Sequence, residues 1–456
     1  MPGHKGSAIY RRFGYEKVLD RLMDMDITEI PGADNLFQTE GIIAETMEQY
    51  RRLYGSRRSY LLINGTSCGL IAAVMCCAAM RPDKSEPNQL IMARNCHKSV
   101  FNAVTLTGSK PVYAYPEFLP EHGITGPVSA DEVKRCIEAA PQASAVLLPS
   151  PNYYGICSDM QAIADACHEA GKFLIVDEAH GAHLSLMGTE AADRLAAGKN
   201  GADIVINSTH KTLATFTQTA VANIYSDGID PDLFEDALQK MESTSPSYVL
   251  MTSMDVNADL LEKHGKELMA DWRAELDAFY EAASEIPGLS VMKHPMLDDS
   301  KLNVSVAGMS GSALEEALME RHIYPELVTG DLVMCMSGIG NTHEHYRRLL
   351  TALREIAAEH AGEPQQANLA AEGEKLWNIR GLAQKTLSDK KERLPLAEAA
   401  GRVAARALIP YPPGIPVVCP GEVIPAEIIP VLLAMRARGE NVMGVDEDGS
   451  VLVGEE

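Results

Sequence analysis

The segment NSTHKTL (207–213) directly follows the apolar run ADIVI and places Lys211 among small hydroxyl residues and a histidine. A lysine amine attacks a carbonyl only when unprotonated, so a reactive lysine belongs where burial and neighbouring positive charge lower its pKa. Ser208 and Thr209 could hydrogen-bond a phosphate, and His210 could add a donor. Together these residues suit a lysine that carries a phosphorylated aldehyde. Alone, a lysine after a strand is more often a solvated surface residue.

Three further segments bear on the choice. VDEAHGAH (176–183) sets Asp177 at the end of an apolar run, with His180 just beyond. A buried carboxylate needs a cation, and a pyridine nitrogen stays protonated only beside such a group; capping the next helix or pairing with an internal arginine is the plainer role. NGTSCGL (64–70) joins the run SYLLI to a helical pattern, with Gly65 at the turn and Thr66 and Ser67 at the helix start. Backbone N–H groups there favour an anion, although an ordinary N-cap looks the same. RNCHKS (94–99) follows QLIMA, and His97 could stack on an aromatic ring or cap a helix. Anchor, histidine, aspartate and lysine thus appear in chain order, each at the exit of an apolar run, and read as one site.

The elements that must position them are seven short apolar runs between Ser59 and Tyr225, at 59–65, 89–93, 110–115, 143–149, 172–178, 202–208 and 218–225, alternating with helical patterns. This predicts a mainly parallel sheet covered on both faces, with ligands at the carboxyl ends of its strands. Ser129 with Glu132, and Ser312 with Glu315, have capping-box spacing; Asp159 opens a helix that Gly171 closes. The pattern changes after about Trp272 to an αβ segment, followed by a charged helical stretch from about His343 to Leu394. Within that stretch, 362–372 is polar and Ala/Gln-rich, as a loop or linker would be. The proline cluster IPYPPGIPVVCPGE (409–422) must be extended or turned. We expect an N-terminal segment over 1–50, a cofactor-binding major domain over 51–285 and a smaller C-terminal α+β domain over 286–456.

Composition narrows the function. The 456 residues carry a formal charge of −23, which argues against nucleic acid as a partner. Neither a membrane span nor a signal-peptide core is present in the sequence, so a cytoplasmic protein is expected. Nine cysteines without a CxxC pair indicate reduced thiols and no zinc site or other metal centre.

The chain resembles the bacterial ornithine/lysine/arginine decarboxylases of pyridoxal-phosphate (PLP) fold type I, the aspartate-aminotransferase-like α/β fold. The carriers are PGHKG (2–6), TEIPGADNLFQTEG (28–41), NGTS (64–67), RNCHKS, VDEAHGAH, STHKTL (208–213), STSPSY (243–248) and YPPGIPVVCPGE (411–422). The resemblance implies that Lys211 bonds the cofactor aldehyde, Asp177 pairs with the pyridine nitrogen and His97 stacks on the ring. By the same resemblance Thr66, Ser67, Ser208 and His210 lie on the phosphate side and Glu422 near the substrate end. His180 is placed near the same ring by its spacing from Asp177. STSPSY resembles a segment that reaches across a homodimer with shared active sites. The start at PGHKG resembles the short form without an amino-terminal wing domain, so wing-built decamers are not expected. The implied reaction is decarboxylation of a basic amino acid, with arginine favoured over lysine or ornithine. Its far cation calls for a carboxylate, with Glu422, Asp34 and Glu40 as candidates. An aminotransferase or other PLP lyase, and a catalytically silent PLP-binding homologue, are the competing readings.

Overall fold

The computed structural model describes residues 3–455 apart from 7, 20, 362–369, 386 and 412–413. All seven apolar runs form strands: β1 (Arg58–Leu62), β2 (Gln89–Ala93), β3 (Lys110–Ala114), β4 (Ala143–Pro149), β5 (Phe173–Asp177), β6 (Ile204–Asn207) and β7 (Ala220–Ile224). They make one sheet in the order β1-β7-β6-β5-β4-β2-β3. Strands β3, β2, β4, β5 and β6 pair in parallel, and β7 runs antiparallel to both β6 and β1. The carboxyl ends of β1 through β6 therefore share one rim, whereas β7 contributes its beginning. The central strands are buried on both faces, which is why they read as unbroken apolar runs. Helix Gly65–Ala79 is apolar nearly all round and lies against them.

Helix caps follow the sequence in part. Ser129 caps Ala130–Ala139 by accepting from the Glu132 N–H, but the Glu132 carboxylate does not close the box; it accepts from the Tyr115 N–H at 2.8 Å and pairs with Arg135. Asp159 caps Met160–Glu169, and Gly171, at φ +65°, ends it. The second box is corrected: Ser310, not Ser312, caps Gly311–Glu320, accepting from the Ala313 N–H.

The change of pattern placed near Trp272 falls inside one helix, Tyr248–Ser284, of 37 residues. Its buried residues extend from Tyr248 to Ala283, so it is packed along most of its length, and the Trp272 indole N–H donates to Ser337 Oγ at 3.1 Å. Beyond it lies a four-stranded antiparallel sheet of β8 (Leu289–Val291), β9 (Lys301–Val306), β10 (Leu327–Thr329) and β11 (Leu332–Met336), ordered β8-β9-β11-β10. The stretch expected to be helical from His343 to Leu394 divides into helices His343–Glu359 and Ala370–Trp377 and the strand β12 (Lys391–Pro395). Of the expected linker, residues 362–369 lie outside the described residues. The tail adds β13 (Ile409–Tyr411), β14 (Asn441–Met443) and β15 (Ser450–Gly454), pairs β12 with β15 and β13 with β14, and has its own apolar cluster around Leu408, Val418 and Leu432. Among the described residues no helix is long and apolar enough to cross a membrane.

A buried polar ladder crosses the large sheet just behind its rim. Glu178 accepts from the Ala197 N–H and from Asn207 Nδ2, both at 2.8 Å; Asn207 Oδ1 accepts from Asn223, whose own Oδ1 accepts from Ser59. Burial pushes the Glu178 carboxyl up to about 8, against the opposing pull of those two donors. A carboxyl whose folded pKa is raised stabilises the fold below its unfolded pKa and loses that contribution as pH rises through the folded value. Thermal stability should therefore decline between about pH 5 and 8, by on the order of 4 kcal/mol for this group alone. Glu178→Gln should flatten that slope whatever its absolute melting temperature; scanning calorimetry across pH would show an unchanged slope if another group is responsible.

Candidate active site

Four rim segments bring the candidate residues together. After β6 the chain makes one helical turn, Thr209–Thr212, and Lys211 on that turn points its Nζ to within 2.9 Å of His180 Nε2. The turn is anchored on every side. Thr209, Thr215 and Thr219 join their hydroxyls at 2.6 to 3.3 Å, the Leu213 carbonyl accepts from Asn257, and the Ala214 carbonyl accepts from Tyr10 at 2.9 Å. Ala214 is held at φ +74°, a conformation that costs a non-glycine residue free energy and persists only where its surroundings fix it. From outside, Gly3 lies against the turn so closely that a Cβ there would sit 2.7 Å from the His210 carbonyl oxygen and 2.9 Å from the Ala214 nitrogen. The Gly3 carbonyl accepts from the Gly340 N–H at 2.8 Å. Part of the PGHKG motif is thus a backing plate for the lysine turn.

Asp177 ends β5 and is buried. Among the described residues it has no ion-pair partner within 4 Å, and one Oδ1 accepts from the Ala179 N–H at 3.2 Å. Burial raises its pKa, while the Lys211 charge and that N–H lower it. Lys211 is half-buried; desolvation lowers its ammonium pKa, Asp177 and Glu326 hold it up, and Lys301 lowers it further. His180 is buried, its ring 5.2 Å from Tyr153, and among the described residues its Nδ1 has no partner. Desolvation first, then the Lys211 and Lys301 charges, holds it neutral. An underpartnered buried carboxylate beside a weakly basic amine is what a protonated pyridine and its aldehyde require, so the residues fit PLP.

Ser208 Oγ meets Thr66 Oγ1 at 3.5 Å, bringing the β6 exit and the NGTS turn together. Thr66 and Ser67 are in the first turn of Gly65–Ala79, where Asn64 makes no side-chain cap, so that helix start keeps its N–H groups for another acceptor. Gly65 is at φ +76°, and its turn is braced by Gln218, which donates to the Ile63 carbonyl at 2.7 Å. His210 Nδ1 donates to the Thr219 carbonyl at 2.8 Å, which fixes that nitrogen as the protonated one. His97 caps helix Lys98–Thr107, its Nδ1 accepting from the Ser99 N–H. Burial, with the charges of Lys211 and Lys98, lowers it to about 4, so it is neutral.

Two of the carboxylates considered for the substrate cation have other partners within the chain. Glu422 is buried and already neutralised: it pairs with Arg94 at 3.1 Å and accepts from the Cys419 N–H at 2.7 Å. Arg94 also donates to the Pro416 and Val417 carbonyls and lies over the Phe101 and Tyr113 rings. Glu422 therefore docks the tail onto the RNCHKS segment. Asp34, at φ +65°, accepts from the N–H groups of Asn35, Glu40, Gly41 and Ile43 and serves as a loop anchor. Glu40 is exposed beside that loop.

Residues 1–301 match the family model described as Orn/Lys/Arg decarboxylase, major domain, and residues 365–450 match the C-terminal domain of the same family. The chain belongs to the Orn/Lys/Arg decarboxylase family. It is 32% identical to the uncharacterized protein YaaO of Bacillus subtilis, covering 97% of this chain and 92% of that one. Identity to the arginine decarboxylase of Bacillus subtilis is 29%, covering 98% and 92%. The constitutive lysine decarboxylase of Escherichia coli superposes with a TM-score of 0.75 at 20% identity, over 100% of this chain and 79% of that one. A serine palmitoyltransferase of Sphingomonas wittichii superposes at 0.55 over 72% of this chain, so the architecture is shared well beyond the decarboxylases.

Within this decarboxylase-family chain the sequence reading missed Gly3 as the partner of the lysine turn, Tyr153 against His180, and the buried trio His183, Asp298 and Lys301. His183 stood in the quoted VDEAHGAH segment, but nothing local marked its distant partners. Two substitutions check the geometry. Gly3→Ala should displace the lysine turn and lower turnover at least tenfold while costing about 1–3 kcal/mol of stability; near-normal turnover would mean the turn does not depend on Gly3. Glu422→Ala should leave a buried Arg94 charge unpaired and cost about 3–5 kcal/mol, read as early loss of the tail in hydrogen exchange. A variant that keeps tail protection but loses only substrate affinity would restore the substrate role.

Proposed function

We propose that this protein is a PLP-dependent decarboxylase of basic amino acids, releasing carbon dioxide and the corresponding amine. The carrying observation is the Lys211 amine, desolvated against His180 beside an Asp177 carboxylate that lacks an ion pair among the described residues. Family membership sets the reaction class, and the arginine decarboxylases among the relatives favour arginine.

In this reading Lys211 carries the aldehyde, Asp177 holds the pyridine proton, and Thr66, Ser67, Ser208 and His210 face the phosphate. When bound, PLP supplies the sink for the electrons left at the α-carbon as carbon dioxide departs. Desolvation lowers the Lys211 pKa, which would ready its amine to attack the aldehyde. Asp177 would hold a proton at that nitrogen by pairing with the ring cation PLP would bring. His97 is neutral and so able to lie flat against a ring without adding charge. His180 sits on the Lys211 amine and limits its swing. The expected homodimer is supported by Ser243–Ser245, exposed between two helices, and by the exposed Ile27, Ile30 and Ile42 on the N-terminal segment that Tyr248 ties down through the Asp34 carbonyl.

Borohydride reduction of the PLP-loaded protein should fix pyridoxyl to the Lys211 peptide; label on another lysine would overturn the assignment. Incubation with arginine, lysine and ornithine should release carbon dioxide without a keto-acid acceptor. A requirement for such an acceptor would favour the aminotransferase reading, and no product from any of the three would remove the decarboxylase. Asp177→Asn should fold normally and lower turnover by roughly two to three orders of magnitude. Mixing Lys211→Ala with a variant inactivated within 243–248 should recover up to about a quarter of wild-type activity if sites are shared across a twofold dimer; none after verified exchange would exclude sharing.

A further inference from the structure

Behind His180 lies a buried ionic cluster for which the chemistry above has no use. Lys301, at the start of β9, is fully buried. Its Nζ donates to Asp298 Oδ2 at 2.7 Å, to Ser300 Oγ at 2.8 Å and to the His180 backbone carbonyl at 2.8 Å. Asp298 Oδ1 faces His183 Nε2 at 3.1 Å and accepts from the Ser300 N–H at 3.1 Å. The His183 ring lies 4.8 Å from Trp272 on the long helix. Gly155, at φ +90°, leaves space for the Lys301 stem, since a Cβ there would come within 2.7 Å of Lys301 Cγ. Two opposite charges out of water are an expensive way to hold a fold, and apolar residues of the same volume commonly hold it as well. What an apolar side chain cannot do is donate to the His180 carbonyl.

We propose, resting on Lys211 as the reactive amine, that Lys301 is a positioning residue of that site: anchored by Asp298, it fixes the His180 carbonyl and thereby the imidazole against the Lys211 amine. Every bond of the relay is short: Asp298 to Lys301, Lys301 to the His180 carbonyl, and His180 Nε2 to Lys211 Nζ at 2.9 Å. The relay starts in the second sheet and ends at the rim of the first. The buried cation also acts through space, lowering the affinity of both Lys211 and His180 for a proton. The other charged groups felt at Lys211 are Asp177 and Glu326, which act in the opposite sense.

The test is Lys301→Met with Asp298→Asn in the full chain, a pair that removes both charges together; Asp298→Asn alone is the second variant. Folding is read by circular dichroism. The first readout needs no cofactor: the pH dependence of Lys211 labelling by an amine-reactive reagent, followed by peptide mass. The labelling midpoint should rise in the Lys301→Met/Asp298→Asn pair, where the buried cation that lowers the Lys211 pKa is lost. In the PLP-loaded variants kcat should fall at least about tenfold with KM within about threefold, the pattern of a misplaced reacting group. A folded variant with an unmoved labelling midpoint and unchanged kcat overturns the proposal. So does failure of both variants to fold, since the cluster is then needed for the fold itself. Borohydride labelling at a lysine other than Lys211 would defeat the parent reading instead and is scored separately.

Discussion

The Lys211 amine is desolvated at the end of β6, and no carboxylate is within ion-pair distance of it among the described residues. Placing an amine there has a cost, because an ammonium out of water must be paired or give up its proton. Desolvation shifts the balance toward the second outcome, against the pull of Asp177 and Glu326. Its hydrogen-bond partner is an imidazole kept neutral, the buried Lys301 ammonium repels a proton from it, and Asp177 exerts a pull at longer range. Asp177 carries the mirror-image cost, a carboxylate raised by burial with one backbone donor. Two groups destabilised in opposite senses are relieved together by a ligand that bonds the amine and brings a cation to the acid. Stability given up at the rim is thereby recoverable as binding.

A site under that tension holds only if its backbone cannot relax. The left-handed residues Ala214 and Gln218 and the positive-φ Gly65 lie on the loops that hold the lysine and the phosphate-side hydroxyls, each braced by bonds from distant parts of the chain. Tyr10 and Gly3 come from the amino-terminal segment, Asn257 from the long helix and Gly340 from the loop after β11. Strain of this kind marks functional loops when several elements over-determine it.

How much of this was legible in the sequence follows from what each residue's partner is. The seven strands and their shared rim were readable because a strand buried on both faces has to be apolar throughout, and Lys211, Asp177, His97 and Thr66 were readable because strand exits bring them to one place. Partners far along the chain were not. Lys301 opens the strand KLNVSV and reads locally as a charged strand end; only the fold reveals Asp298, Ser300 and the His180 carbonyl around it. Glu422 was expected near the substrate, and nothing local in the sequence marked its partner Arg94, 328 residues away. Ser310 rather than Ser312 caps its helix because both serines fit the local pattern and backbone geometry chooses between them.

The Arg94–Glu422 pair also bears on how the tail takes part. Arg94 lies at 11% side-chain exposure and Glu422 at 1%, so the pair is shielded and its strength depends on geometry more than on salt. Arg94 opens the segment that ends in the capping histidine His97, and it is held from above by Pro416, Val417 and Glu422 and from below by the Phe101 and Tyr113 rings. The tail's own core, gathered around Val418 and Leu432, is thereby tied to the same rim that carries Lys211. Displacing the tail would leave Arg94 unpaired and free the loop that positions His97. The carboxyl-terminal part is thus connected to this rim through the buried Arg94, and also through Arg380 and Gly381 at Tyr115.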